Sequence, residues 1–309
     1  VSGVPEDVRA LVTEREAARA ARDFARADAL RSAIAERGYR VLDGPGGSTV
    51  ETIPASAAPT RLRPDDVGSL LDEPATAEVS VHWLVEGWAE DVLRALAAFR
   101  AHQGDRTVQY VVADLTEADP AGYGEAEVVP LQGGAGWGAA RNAGLRRSRG
   151  RIVVLVDGSV EPTGDVLGPI ADVLADDAVG VCGPFGIATE DLRRFHESSG
   201  VGPHREVDAI EGYLMAFRRD VLRHVGMFDE RFRWYRTADI ELSFRIKDAG
   251  MRAVVIDLPV RRHEHRMWHA TPPEERDRLS KRNFYRFLER FRDRFDLLAA
   301  GPGRAGGGR

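Results

Sequence analysis

The segment LVDGSVEP, residues 155–162, closes an apolar run on one acid, Asp157, with Ser159 two positions further on. An aspartate at a strand end can serve a cation site, but Ser159 stands where a second carboxylate would complete one. A neutral hydroxyl is a poor Mg²⁺ ligand. Asp114 ends another apolar run, VQYVVAD, so both acids can face one crevice and hold a nucleotide's base and ribose, or a cation. Gly136, Gly138, Arg141 and Asn142 lie where a loop enters a helix. Such an N-terminus favours anions and Arg141 adds charge, although the pattern is not the dinucleotide G-x-G-x-x-G. Asp239 sits near the start of a later helix, where a carboxylate can simply cap it. His263 and His265, in VRRHEHR, share one side of an extended backbone and either complete a cation site or decorate the surface.

These residues need a scaffold, and from Val79 onward strand-like and helix-like segments alternate. VSVHWLV, VQYVVAD, AEVVPL and RIVVLVD read as strands, and AEDVLRALAAFRAH and GWGAARNAGLRRS as helices. That alternation predicts an α/β fold with a doubly wound, mostly parallel, Rossmann-like sheet, whose ligands sit beyond the carboxyl ends of its strands. The block from Ala209 to Gly250 reads as a helical stretch, a turn, an aromatic-rich loop and a second helix. After Pro273 a basic amphipathic helix carries Phe284, Phe287, Leu288, Phe291 and Phe295 on one stripe. Packing onto the domain is the expected fate of that stripe, rather than a membrane surface.

Ahead of this domain, Val8, Leu11, Val12, Phe24, Ala27, Leu30 and Ile34 recur at helical spacing, and Gly38–Tyr39 supplies a stop. The expected organisation is an α-helical hairpin over 1–42 and a Gly/Pro/Ser/Thr-rich linker over 43–78. The α/β domain follows over 79–270, then the amphipathic helix over 271–297 and a disordered tail over 298–309. The hairpin is expected to pack, or to serve homo-oligomerisation.

The chain has 309 residues, 30% of them charged and 43% hydrophobic, enough for one substantial core with an appendage. A net charge of −6 argues against a dedicated nucleic-acid binder. The single cysteine, Cys182, excludes an internal disulfide and any cysteine-rich zinc site. No stretch approaches the roughly 18 apolar residues of a transmembrane segment. The charged N-terminus lacks a signal peptide's apolar core, so a cytoplasmic location is expected.

The order of these elements resembles the family 2 glycosyltransferases of GT-A fold over about Val79–His265. The points of contact are GWGAARNAGLRRSRGRIVVLVDGSVEP, the GYLMAFRRDVLRHVGMFDERF…ADIELSFRIKDAG block and a late histidine. The resemblance implies an inverting, hexosyltransferase-like transfer of a sugar from a nucleotide diphosphate sugar to an unidentified acceptor. It implies Asp239 as catalytic base, and Asp114, Arg141, Asn142, Asp157 and Ser159 as nucleotide-sugar-binding residues. It further implies Mg²⁺ or Mn²⁺ at Asp157, in a site that His263 and His265 could complete. Trp234 and Tyr235 are expected on the acceptor side.

Two departures bear on activity: the D-x-D pattern reads Asp157-Gly158-Ser159, and the E-D pair reads Ala238-Asp239. Glu161, His263 or His265 could replace the missing ligand. The alternative reading is a catalytically impaired GT-A homologue that binds a nucleotide sugar or a protein. The N-terminal stretch REAARAARDFARADALRSAIAERGYRVLDGPGG is similar to the C-terminal helical segment of cysteinyl-tRNA synthetases, without their catalytic motifs. A third reading, an RNA-associated adaptor, rests on that stretch alone.

Overall fold

The computed structural model describes residues 4–21, 23–35, 37, 39–44, 47–52, 60–116, 120–198 and 204–300. The chain divides into two units, Val1–Thr60 and Arg61–Arg309. In the first unit, α1 (Glu6–Ala20) and α2 (Phe24–Ala35) form the expected hairpin. Their apolar positions Val8, Val12 and Ile34 close a small core with Val41. Val41 belongs to an element that the sequence reading missed. β1 (Tyr39–Gly44) and β2 (Gly47–Thr52) pair antiparallel, with Val41 opposite Val50 and Gly44 opposite Gly47.

The linker expected over 43–78 is therefore corrected at both ends. Gly44 and Gly47 end the paired stretches, both of which contain β-branched residues, so the composition read as a linker belongs partly to two strands. At its other end, Leu62 bridges to Leu131, Pro64–Asp66 form a 3₁₀ turn, and Val67 and Leu71 are buried. Those residues belong to the second unit.

The second unit opens with β3 (Ala77–Val85), α3 (Ala89–His102), β4 (Val108–Asp114), β5 (Glu127–Pro130), α4 (Trp137–Arg146) and β6 (Gly150–Val156). Next come β7 (Val160–Pro162), α5 (Leu167–Leu174), β8 (Val179–Gly183), β9 (Gly186–Ala188), β10 (His196–Glu197), β11 (Arg205–Val207), β12 (Ala209–Ile210) and β13 (Leu214–Arg218). The unit ends with α6 (Arg219–Val225), α7 (Ala238–Asp248), β14 (Arg252–Val255), β15 (Val260–Arg262), α8 (Arg266–Ala270) and α9 (Pro273–Phe291).

Eight strands form one sheet in the order β11-β14-β8-β13-β6-β3-β4-β5. The pairs among β6, β3, β4 and β5 are parallel, as is β14 with β8. β13 runs antiparallel between β6 and β8. The sheet is thus mixed but mostly parallel, an α/β fold. Its strands are apolar on both faces, as buried parallel strands must be: Val79, Val81, Trp83 and Val85 pack on one side. On the other side lie Leu145 of α4, Val153, Leu155 and Phe217.

The stretch expected to be helical from Ala209 is corrected. LMAFR is strand β13, and only RDVLRHV is helix. Leu214, Met215, Ala216 and Phe217 are all fully buried, and a strand buried on both faces shows no alternation to distinguish it from a helix.

The C-terminal helix packs on α7. Phe287 and Phe291 are fully buried against Phe244 and Leu192. Phe295 leaves this stripe: the helix ends at Phe291, and Phe295 is 45% exposed. In mid-helix, buried Asn283 donates to the carbonyls of Trp234 and Arg236, both at 2.8 Å. α9 therefore holds the loop that precedes α7. The tail beyond residue 300 lies outside the described residues. Among the described residues no helix is long and apolar enough to cross a membrane.

Candidate active site

The carboxyl ends of β3 and β6, the start of β13, the start of α7 and the segment before α8 enclose a cavity of about 280 Å³. Its wall includes Asp157, Ser159, Arg141, Tyr235, Asp239 and His265, so the fold brings together six residues selected from sequence. Glu86, Trp88, Glu211 and Arg236 join them.

Asp157 follows the last residue of β6, and its backbone N–H donates to the Tyr213 carbonyl at 2.9 Å, beside the start of β13. Its Oδ1 accepts from the Ser159 hydroxyl (2.5 Å) and the Ser159 N–H (2.9 Å). Its Oδ2 lies 3.4 Å from His265 Nε2. Burial alone would push Asp157 up, but the His265 and Ser159 contacts override it and hold the carboxyl at about 2. Burial likewise opposes the charged form of His265, and pairing with Asp157 lifts it above its ordinary value. The His265 ring is flanked by Tyr235 and Tyr213, with centroids 4.7 and 5.8 Å away. Its Nδ1 accepts from the Trp268 N–H at the start of α8 (3.2 Å).

Asp239 lies in the first turn of α7, behind Thr237, which is held at φ 74°. A non-glycine residue there is strained, and such strain concentrates at working sites. Asp239 Oδ2 accepts from the Gly212 N–H (2.7 Å) and Oδ1 from the Ile240 N–H (2.9 Å). Burial raises its pKa, against the pull of those two N–H groups. Its carboxylate thus does more than cap its own helix: it ties α7 to the segment before β13.

Four expected site residues stand elsewhere. Asp114 is 1% exposed and outside the cavity wall; its Oδ1 accepts from the N–H and hydroxyl of Thr116 at 2.6 and 2.7 Å, a local turn. Asn142 brackets Phe228, donating to its carbonyl (2.9 Å) and accepting from its N–H (3.0 Å). His263 turns from His265 to Glu161, 2.6 Å away. Trp234 is buried, stacked at 6.3 Å from Trp268. Chain alternation would put the two histidines on one side only within a regular strand, and β15 ends at Arg262, just before them.

The glycine-rich start of α4 is corrected as an anion site. The Trp137 and Gly138 N–H groups donate to the carbonyls of Arg233 and Phe232, at 3.2 and 2.9 Å. A Cβ on Gly138 would stand 2.8 Å from the Asp229 carbonyl, so glycine is required for that docking. Arg141, one turn on, is buried and bridges the carbonyls of His82 and Val156 at 3.4 and 3.3 Å. Much of the pattern around Gly226 and Asp239 is likewise scaffold. Arg245 pairs with Glu241 at 2.9 Å and donates to the carbonyls of Val225, Gly226 and Met227.

Sequence reading missed Glu86 and Glu211. Burial pushes Glu86 up to about 7, with Arg141 opposing and Asp157 adding to the shift. Burial pushes Glu211 up to about 7 too, helped by Asp239 and Glu197. The only local signal was an acid before a glycine at either end of an apolar strand, in VEGW and IEGYLMAF.

A cation would meet Asp157 Oδ2 and His265 Nε2. Their 3.4 Å separation suits two neighbouring ligands with bonds of about 2.1 Å. To ligate, the ring must carry its proton on Nδ1 and give up the Trp268 N–H bond, at about 0.5–1.5 kcal/mol. Among the described residues no group of three or more His, Cys, Asp or Glu is gathered for a metal. The pair therefore fits a cation shared with ligand phosphates, which is how Mg²⁺ is usually held.

A mixed, mostly parallel sheet with acids at its strand ends defines an α/β protein of GT-A-like fold. Residues 104–241 match the profile of glycosyl transferase family 2, and residues 1–50 that of the cysteinyl-tRNA ligase anticodon binding domain. The chain thus contains a region similar to glycosyl transferase family 2, preceded by a region similar to the anticodon-binding domain of cysteinyl-tRNA ligase. Among solved structures, GalNAc-T7 with UDP, GalNAc and Mn²⁺ superposes with a TM-score of 0.55 at 16% identity, over 69% of this chain. The chain spans about half of that protein, 48%, and the likeness is one of fold. A mannosyltransferase from Pyrobaculum calidifontis, in complex with GDP-Man and Mn²⁺, gives a TM-score of 0.47 at 21% identity, covering 66% of this chain and 62% of its own. The cysteine–tRNA ligase of Anaeromyxobacter dehalogenans (strain 2CP-C) is 54% identical over 43 residues, which are 14% of this chain and 9% of the ligase.

Proposed function

We propose that this chain transfers a sugar from a nucleotide diphosphate sugar to an acceptor hydroxyl by single displacement with inversion. The observation that carries this reading is the placement of Asp239, on α7, in the wall of the cavity that also holds Asp157 and His265. A sugar hydroxyl is too weak an acid to attack unaided, and Asp239 is the carboxylate that takes its proton. Its raised pKa makes it a stronger base than a free aspartate. Arg141 and the Asp157–His265 pair would meet the diphosphate, and Tyr235 and Arg236 line the same cavity. Asp157 and His265 would hold Mg²⁺ or Mn²⁺, whose charge offsets the negative charge gathering on the leaving diphosphate. Asp114, Asn142, His263 and Trp234 take no part in this scheme, because their side chains are engaged away from the cavity.

The test is calorimetric titration of UDP-, GDP- and dTDP-sugars with Mn²⁺, followed by assay of hydrolysis and transfer. Saturable binding and turnover with at least one nucleotide sugar is the expected result. Binding without turnover would favour the impaired homologue, and no binding would overturn the proposal.

A further inference from the structure

Position 238, where the resemblance calls for an acid beside Asp239, is an alanine buried in the core with Leu242 and Phe232. The cavity nevertheless holds another carboxyl group, Glu211, near enough for the Asp239 charge to act on it. Glu211 lines it from the segment between β12 and β13, anchored by its own N–H on the Phe185 carbonyl at 2.8 Å. The next residue, Gly212, donates its N–H to Asp239 Oδ2 at 2.7 Å. A Cβ on Gly212 would be in van der Waals contact with Asp239 Cβ and Oδ2, each 3.4 Å away. The Glu211 segment therefore lies directly on the Asp239 carboxylate. Among the described residues no group donates a hydrogen bond to the Glu211 carboxyl, so its oxygens are open to ligand or water.

We propose that Glu211 is the second proton-handling residue of the transfer site, receiving the proton that Asp239 removes; this rests on the function proposed above. As the acceptor O–H bond breaks, its oxygen bonds the anomeric carbon, and the anomeric C–O bond to the diphosphate breaks. The electron pair of that bond leaves with the diphosphate. The proton passes to Asp239, then through a water molecule to Glu211, and from Glu211 to solvent. Glu211 supplies from a loop the acid that position 238 lacks.

The charges around it make the relay pH-sensitive. Asp239 and Glu197 face Glu211 as like charges, Arg262 and Arg236 as opposite ones, and the Tyr213 hydroxyl is also near. Burial outweighs the arginines and, with the two acids, brings Glu211 to about 7. Below that pH Glu211 is already protonated and cannot take a second proton. Turnover therefore falls as pH falls through about 7.

Two measurements on the full chain test this. The first follows ¹³C-labelled glutamate carboxyls by NMR through a pH titration, without any ligand. Glu86 also titrates near 7, so two such signals are expected, of which one is absent in Glu211→Gln and moved down by at least half a pH unit in Asp239→Asn. A Glu211 midpoint in the ordinary carboxylate range, or one unmoved by Asp239→Asn, overturns the proposal whether or not a sugar donor is found. The second measures nucleotide-sugar hydrolysis from pH 5 to 9 in the wild type and Glu211→Gln. The variant should keep nucleotide affinity within twofold and lose the acidic limb near pH 7. An unchanged limb overturns the relay. Hydrolysis of none of the UDP-, GDP- or dTDP-sugars would count against the transferase reading, while the NMR titration still decides on the pair.

Discussion

His265 Nε2 stands 3.4 Å from Asp157 Oδ2, while Oδ1 of the same carboxylate is taken by Ser159. A serine in the D-x-D pattern thus leaves one carboxylate oxygen and one imidazole nitrogen for a cation. Replacing Asp157 by Asn should weaken Mn²⁺-dependent binding of a nucleoside diphosphate at least tenfold by calorimetry. His263→Ala should change it less than twofold, because that ring pairs with Glu161. Equal losses in both variants would contradict this division between the histidines.

Asp239→Asn keeps the size of the side chain and its acceptance from Gly212, but removes the proposed base. Loss of a positioned general base costs about 10²–10⁴ in rate. Single-turnover assays should show a loss in that range, with nucleotide affinity within threefold of wild type.

Asn142 separates scaffold from substrate contact. Its three hydrogen bonds join α4 to Phe228 and Glu230. Asn142→Ala strands a buried N–H and carbonyl of Phe228 and should cost about 1–3 kcal/mol in urea unfolding. Nucleotide affinity of the folded variant should stay within threefold. A larger loss of affinity than of stability would return Asn142 to the binding set.

His82 makes stability depend on pH. The ring is buried, its Nε2 is 2.9 Å from Ser148 Oγ, and burial with the nearby Arg141 pushes its pKa down to about 3. The unfolded chain binds a proton at this histidine near pH 6.5 and the folded one does not. Its contribution is therefore intact above that pH and lost as pH falls toward 3. Well below the unfolded pKa the loss is about 1.4 kcal/mol per pH unit from this group. Unfolding at pH 7.5 and 5 should differ by about 2 kcal/mol less in His82→Gln than in wild type.

A chain starting at Arg61 should fold and bind nucleotides as the full chain does. The clusters around the central sheet and those of α7 and α9 all fall within residues 61–309. A melting temperature of that unit within about 3 °C of its value in the full chain is expected, since each of these clusters lies wholly within it. Size-exclusion chromatography and tRNA binding of both chains then show what residues 1–60 add.

Periodicity and composition determined the parallel half of the sheet, the helical hairpin and the strand-end position of Asp157. A parallel strand is apolar along its whole length and its ligands gather at its carboxyl end, both of which are local properties. The β1–β2 hairpin and strand β13 escaped because turn-rich composition and an unbroken apolar run each fit two structures. Which polar residues reach the cavity was decided by the tertiary structure alone. Asn142 and Arg245 hold loops through backbone groups distant in sequence, Asp114 folds back on Thr116, and Glu211 arrives beside Asp239 from 28 residues upstream. A carboxylate's role depends on what surrounds it, and at Asp157 and Asp239 those surroundings come from β13, α8 and the chain before them, elements the local pattern does not encode.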